Sequence, residues 1–425
     1  MLGIWLLLPE HLRLGTWELL RQWGQDATLL ELAPRMALQG VPEAALCRPT
    51  LRADRSLRHH GFELANGLPF LPSDGSFHDL FEAHTVAQAQ QLQVALGQLR
   101  RASGHFPGQL LVLDPHRRES FSRRDMIKHR PSARQPAVKQ AQMFFLLDAQ
   151  SHQPVCLTNF SSARTLTTAT IELLELARQI LPADANANPR PLLLADAEHF
   201  AVELLDFVHQ HTAWDLLVPL RRTRALERHY RALPPGAFTP YWAGFAIARE
   251  SFAPRRTQVD EPYTRYIQRS GERAQDYQFK GFGCTRPREE VAALTRDFPQ
   301  RWHLEEFYRS DQDLGWKRAG TMNLHIRAAQ MSLALVAQAV IYQLRQRLGA
   351  PFQQWDSPHL AKDFFGGLEG DLRVDKDTIL VTYYNAPQAD RWKHHFEHLP
   401  QQLAAERVDP RIPWLYNYKL DFRFK

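Results

Sequence analysis

Asp114, Asp196 and Glu305 are the residues whose types and settings point to chemistry. Asp114 closes the apolar run Gln109-Leu110-Leu111-Val112-Leu113, and Asp196 closes Leu192-Leu193-Leu194-Ala195. Short apolar runs of this kind predict buried strands, and the C-terminal ends of such strands in a parallel or mixed sheet open into the crevice where ligands and catalytic groups collect. Two carboxylates at neighbouring strand ends repel each other unless a cation lies between them, and their hard oxygens suit Mg2+ or Mn2+. Acids also close strands at a solvent edge with no such role, so a third ligand is needed.

The third acid lies in Asp297-Phe298-Pro299-Gln300-Arg301-Trp302-His303-Leu304-Glu305-Glu306-Phe307-Tyr308. Asp297 predicts an N-cap and Pro299 suits a first turn, so a helix is expected to start here. Arg301 and Glu305 are then four apart on one face, which Tyr308 and Gln312 extend. An isolated pair of this kind is ordinarily a surface ion pair worth about 0.3–0.5 kcal/mol.

The elements that must position these acids follow from periodicity and breakers. Residues 1–105 carry helical patches at 18–23 and 77–101 around the break Asn66-Gly67-Leu68-Pro69, which predicts a helical N-terminal domain. Over 106–220 the order is a strand at 109–114, a hairpin at 142–148 and 154–159, a helix at 167–180, a strand at 192–196, a helix at 198–211 and a strand at 214–220. That order predicts an α/β fold with a mixed sheet. Residues 221–290 turn aromatic and β-like, with short strands expected at 241–245, 263–268 and 277–283. From Pro287 onward the chain is helical again. The apolar stretch 331–344, interrupted by Gln338 and Gln343, is too short to span a bilayer and predicts a buried core helix. The C-terminal region 351–425 contains a strand at 378–384 and a helix around Trp392. His394, His395 and His398 on that helix have no nearby Cys or further ligand and read as surface residues.

With 425 residues, 44% hydrophobic and 23% charged, the chain is long enough for two or three folded domains. Its net charge of +6 and pI of about 9.3 favour a polyanionic partner. Cys47, Cys156 and Cys284 are isolated and odd in number, which argues against a disulfide framework or a Cys-rich zinc site and fits a reducing cytosol. The N-terminus lacks the basic leader of a secretory signal, and no membrane partner is expected. Directly after Asp114, residues 115–139 hold Arg117, Arg118, Arg123, Arg124, Lys128, Arg130, Arg134 and Lys139 against Glu119 and Asp125. This reads as a loop tracking phosphates, with a merely solvated loop as its alternative. Arg221, Arg222 and Arg224 would extend the same footprint, and Arg52, Arg55, Arg58, His59 and His60 form a second basic stretch within the N-terminal helical domain. No Gly-rich phosphate loop and no Ser/His/Asp order appears, so nucleotide hydrolysis and acyl transfer have no support.

Val112-Leu113-Asp114, Leu194-Ala195-Asp196-Ala197-Glu198, Arg301-Trp302-His303-Leu304-Glu305 and the later Leu314-Gly315-Trp316-Lys317-Arg318-Ala319-Gly320-Thr321-Met322-Asn323 together resemble the DDE transposases of bacterial insertion sequences. The resemblance covers about 114–349 well and the N-terminal part more loosely. Its most specific feature is the order of the motifs together with the 108 residues between Asp196 and Glu305. It implies an RNase H-like mixed-sheet core (106–220 and 291–350, the latter with the catalytic Glu) interrupted by a β-rich insertion (221–290), with DNA-end binding by 1–105 and an assembly role for 351–425. The family pattern of Tyr, two residues, Arg, three residues, Glu, six residues, Lys is met by Phe298, Arg301 and Glu305, but Gln312 stands where Lys is expected. Lys317 or Arg318 would then supply the missing phosphate contact. Asp148 competes for the role of first acid, but the turn expected at 150–153 places it at a hairpin tip.

By this resemblance, Asp114, Asp196 and Glu305 would be both catalytic residues and ligands of two Mg2+ ions about 3.5–4 Å apart, with Mn2+ able to substitute, for cleavage of a DNA phosphodiester and attack by the freed 3′-OH. Arg301 would contact phosphate through its planar fork. Trp242 is the candidate for stacking a flipped base in the insertion, although a strand Trp is more often core. Double-stranded DNA, both element ends and target, is the implied partner, and a homodimer in a synaptic complex the implied assembly, in the cytoplasm. The alternatives are a structure-selective RNase H-like nuclease and a catalytically inactive DNA-binding derivative.

Overall fold

The computed structural model describes residues 1–25, 31–47, 63–68, 70–119, 128–130, 136–160, 165–184, 186–314 and 323–425. Two compact units form, Met1–Ser103 with Tyr308–Lys425, and Gly104–Phe307. The first unit begins with helices α1 (Leu8–Leu14), α2 (Thr16–Gly24), α3 (Leu32–Ala45), α4 (Asp74–Glu82) and α5 (Val86–Ala102). In α2 the buried residues Thr16, Trp17, Leu20 and Trp23 recur at helical spacing and define one inward face. Thr85 and Gln88 close a reciprocal capping box at the start of α5, satisfying two otherwise orphaned N–H groups.

The second unit begins with strands β1 (Leu110–Glu119), β2 (Lys128–His129), β3 (Val138–Asp148) and β4 (Gln153–Phe160). There follow α6 (Leu166–Ile180), β5 (Leu192–Leu194), α7 (Val202–His211), β6 (Asp215–Pro219) and α8 (Arg224–Ala232). Strands β7 (Phe238–Trp242), β8 (Phe245–Phe252), β9 (Tyr263–Ser270) and β10 (Gln278–Cys284) come next, and the unit ends within α9 (His303–Asp311). The strands make one ten-stranded mixed sheet in the order β2-β3-β1-β5-β6-β10-β9-β8-β7, with β4 also paired to β3. The pairs β4/β3 and β3/β1 are antiparallel, whereas β1/β5 and β5/β6 are parallel. Strands β5 and β6 are buried at every residue, which the apolar runs Leu192–Leu194 and Leu216–Val218 fit in a sheet covered on both faces, and their one buried acid, Asp215, pairs with Arg286 and Arg288. Helix α6 packs on β3 and β4, with Leu173, Leu174, Ala177 and Ile180 among its buried residues.

The structure differs locally from the sequence expectations, for physical reasons. β1 does not end at Asp114: its ladder with β5 stops at Val112, but its antiparallel ladder with β3 continues to Glu119. Pro115 is tolerated there because its missing N–H falls where the β5 ladder has already ended. Residues 241–245 are not one strand but the tip of the β7/β8 hairpin, turned at Ala243-Gly244 with Gly244 at φ +72. The chain is already helical ahead of Asp297, because the Glu289 carboxylate accepts from the N–H groups of Val291 and Ala292 at 3.0 and 2.6 Å. Asp297 makes no cap bond and pairs with Arg296 instead. A π turn (Ala292–Asp297) and a 3-10 turn (Phe298–Trp302) then lead into α9.

Returning to the first unit, the chain forms α10 (Leu324–Leu348), α11 (Ser357–Leu360), α12 (Ala389–Trp392) and α13 (Leu399–Ala405). It also forms a separate four-stranded sheet of β11 (Gly370–Asp375), β12 (Thr378–Tyr383), β13 (Arg411–Ile412) and β14 (Tyr418–Phe424), ordered β11-β12-β14-β13. Helix α10 is long and apolar enough to cross a membrane, but 83% of its most apolar window is buried, and it packs on α3, α4 and α5. It is the core helix expected over 331–344. The N- and C-terminal segments of this unit are tied together: Trp414 Nε1 donates to the Ala65 carbonyl at 3.0 Å and Tyr383 Oη to the Leu2 carbonyl at 2.9 Å.

Candidate active site

The register of β1 and β5 sets the two aspartates side by side. Val112 pairs with Leu194 as the last rung of the parallel ladder, and Asp114 and Asp196 each follow two residues later, so both side chains leave on the same face. Together with His199 they form a group in which one potential ligand atom from each residue lies within 4.8 Å of the others. Asp196 caps the turn that follows β5: its Oδ1 accepts from the Glu198 N–H at 2.9 Å and lies 2.7 Å from Nδ1 of the fully buried His199. A proton on that Nδ1 leaves Nε2 of His199 buried and without a hydrogen-bond partner among the described residues.

The electrostatics of the two acids diverge. Burial first, and the adjacent Asp196 charge second, push the Asp114 carboxyl up to about 7, against the opposing effect of Arg301 and Arg117. Burial acts on Asp196 in the same sense, but hydrogen bonding and charge from His199, the Glu198 N–H and Arg301 outweigh it and hold this carboxylate below its usual range. The pair therefore shares its last proton unequally, with Asp114 holding it. Such a pair fits a divalent ion. Two hard carboxylates converge, the His199 imidazole holds one of them, and the charge repulsion at Asp114 is what a cation between them would relieve.

Arg301 is the hub of the remaining charges. It acts on both aspartates and lies 3.6 Å from Glu305 on the same helix face. Glu305 is thus brought to the site through Arg301, and its carboxylate is not among the group of ligand atoms that meet within 4.8 Å there. Arg117 is spent on Glu198, which it contacts through both terminal nitrogens. Asp148 is fully buried and satisfied: its Oδ1 accepts from Gln150 N–H, Ser151 N–H and Ser151 Oγ, and its Oδ2 accepts from Gly108 N–H at 2.7 Å. It holds the β3/β4 turn, as its place at the hairpin tip suggested.

A groove of about 440 Å³ opens beside Ala197, the neighbour of Asp196, and is lined by Arg221, Arg222, Tyr230, Phe279 and Lys280. Arg221 reaches the Ala197 carbonyl at 3.3 Å, while Arg222 pairs with Glu227. The Tyr230 hydroxyl is buried without a partner among the described residues, and burial pushes it up to about 12. Lys280 is held below the usual lysine range by burial and by the neighbouring Arg301, with its ammonium over the rings of Phe282 and Phe298. Trp242 is 51% exposed at the β7/β8 tip and stacks on Phe245 at 4.1 Å, so it is a surface residue rather than core. Lys128 is exposed on β2. Arg123, Arg124, Lys317 and Arg318, and the side chains of Arg118 and Gln312, lie outside the described residues.

Two residues of the site escaped the sequence reading. His199 carried a signal, the Asp-x-x-His spacing in which a capping Asp receives the side chain three positions on. Lys280 carried none, because only strand pairing brings β10 beside β6.

No family model matches the sequence, and no curated protein matches it. Among solved structures the chain is similar to a piggyBac transposase, seen by cryo-EM in a synaptic complex with hairpin DNA. The TM-score is 0.43 at 9% identity, covering 85% of this chain and 79% of that one.

Proposed function

We propose that this protein is a DNA transposase that cleaves phosphodiester bonds at the ends of a DNA element and joins the freed 3′ ends to target DNA, with Asp114, Asp196 and Glu305 as its acidic residues. The observation that carries this reading is the placement of Asp114 and Asp196 side by side by the β1/β5 register, with one arginine acting on both. The strand order supports an RNase H-like core, since three antiparallel strands (β4, β3, β1) are followed by two parallel ones (β5, β6), and β7 to β10 extend the sheet as the β-rich insertion.

Asp114 and Asp196 would hold Mg2+, which would supply Lewis acidity to phosphodiester chemistry. Within the chain, His199 fixes the orientation of Asp196 and Arg301 offers a planar fork to a phosphate. Glu305 sets the position of Arg301 in the free protein and is the third carboxylate. Arg221, Arg222 and Lys280 give the adjacent groove the positive charge that a DNA strand requires. Two copies acting on two element ends form the working assembly, in the cytoplasm.

The test is cleavage and joining of plasmid DNA that carries the sequences flanking the gene, with and without Mg2+. Asp114→Asn and Asp196→Asn should each lower cleavage by at least about a hundredfold, because several kcal/mol of charge stabilisation is removed. Unchanged cleavage in either variant refutes the assignment. Cutting without joining favours the structure-selective nuclease, and DNA binding without any metal-dependent cutting favours the inactive derivative.

A further inference from the structure

A second group of ligating side chains, which shares no residue with the paired aspartates, lies in the same unit. His152 ends the β3/β4 turn at φ +57, and its ring stacks on that of His303 at 3.9 Å with a 27° tilt. His303 is the first residue of α9, and Glu306 lies three residues on, with Oε2 at 2.7 Å from His303 Nδ1. One ligand atom each from His152, His303 and Glu306 lies within 4.8 Å of the others. We propose that these three residues bind a divalent transition-metal ion of the zinc type, which ties the β3/β4 turn to the first turn of α9.

The donor set decides the class of ion. Two imidazoles and one carboxylate suit Zn2+, Co2+ or Ni2+ and disfavour Mg2+, which demands oxygen ligands. The tautomer is already arranged. His303 Nε2 lies 2.5 Å from Gln300 Oε1, an oxygen that can only accept, so the proton on Nε2 is fixed. With Nε2–H committed, Nδ1 is the nitrogen left to ligate, and it points at Glu306. Gln300 then acts as the outer partner that orients a ligating histidine. Burial and the neighbouring His303 hold His152 below the usual histidine range. His303 and Glu306 are 24% and 47% exposed, so an ion reaches the cluster from solvent without local opening.

The consequence is mechanical. Gln300, His303 and Glu306 bracket Arg301 and Glu305 in sequence, so an ion bound here fixes the helical turn that presents both. The proposal stands apart from the DNA chemistry, because its readout is binding rather than cleavage.

The experiment is titration of the full chain with Co2+, followed by its visible ligand-field absorption, and with Zn2+, followed by thermal unfolding. The wild type and Asp196→Asn should both show the cobalt band and the rise in unfolding temperature on adding zinc. His152→Ala should lose both, with affinity falling at least about tenfold, and Gln300→Ala should weaken binding by about 10–100-fold. His152 lies on an exposed turn, so its replacement keeps the fold, which circular dichroism checks; His303→Ala repeats the test from the helix side. A band that survives in His152→Ala and His303→Ala, a band lost only in Asp196→Asn, or no cobalt binding by the wild type overturns the proposal.

Discussion

Asp114→Asn should change how stability depends on pH more than it changes stability itself. In the metal-free wild type the Asp114 carboxyl titrates at about 7, against an ordinary value of 3.8. A folded pKa raised above the unfolded one means that the folded state binds the extra proton. The contribution to stability is therefore fully present below about pH 4 and is lost as pH rises through about 7. Between pH 5 and pH 8 that loss is on the order of 2–3 kcal/mol. An asparagine has no proton to lose, so the variant should lack this slope and be the more stable protein at pH 8 without metal. Urea unfolding of both proteins at pH 5 and pH 8 measures the difference. Calorimetry of Mg2+ binding offers a second reading: at pH 7 the wild type should release about half a proton per binding event, falling toward zero by pH 8.5, because the carboxyl must ionise before it ligates. Parallel pH profiles for wild type and variant, together with no proton release at pH 7, would refute the picture of two unneutralised, adjacent carboxylates.

Two further outcomes follow from the same unit. Asp148→Asn should destabilise the fold by about 2–3 kcal/mol and leave Mg2+ affinity unchanged, because an amide must turn its NH2 toward N–H donors that now face a carboxylate; chemical denaturation beside a magnesium titration reads both. Gly281→Ala should cost about 1–3 kcal/mol and narrow the groove beside Ala197, since a Cβ there would come within 2.1 Å of the Tyr230 hydroxyl; an unaltered denaturation midpoint would show that Tyr230 moves aside freely.

What the sequence made legible was set by how locally each feature is determined. β1 and β5 begin as short apolar runs that each lead into an acid, so the sequence marks Asp114 and Asp196 as strand-end acids, but only the β1/β5 register, with Val112 opposite Leu194, brings them together. The helix around Glu305 was also legible, but its start was not. Asp297 is a good capping type, yet the N–H groups nearest a free carboxylate belong to Val291 and Ala292, and Glu289 takes them. The continuation of β1 through His116 and Arg117 was hidden because a polar run becomes a strand only when β3 lies alongside to pair with it. The hairpin at Ala243-Gly244 was obscured by aromatic residues on both sides, although Gly244 was its signal. The joining of the chain's two ends into one unit rests on contacts such as Trp414 to Ala65, for which a single sequence offers no periodicity at all.

The division of charge at the site favours the aspartate pair, rather than the whole acidic set, as the place for the proposed cation. Four carboxylates gather there, Asp114, Asp196, Glu198 and Glu305, and two guanidiniums face them. Arg117 is committed to Glu198 by a two-pronged contact, and Arg301 is shared between Glu305 and the two aspartates. Desolvation then penalises whichever charge is least well paired, and that charge is Asp114, which answers by holding its proton. A divalent ion at the pair would expel that proton and repel Arg301, loosening its hold on Glu305. The freed guanidinium would be available to a phosphate, and the freed Glu305 would be available as a ligand, so the 3.6 Å contact between them describes the metal-free resting arrangement of the charges. Mg2+ affinity in Arg301→Ala tests this exchange. Removing the competing cation should tighten binding at the aspartate pair, whereas a weaker Mg2+ affinity would show that Arg301 holds the site together instead.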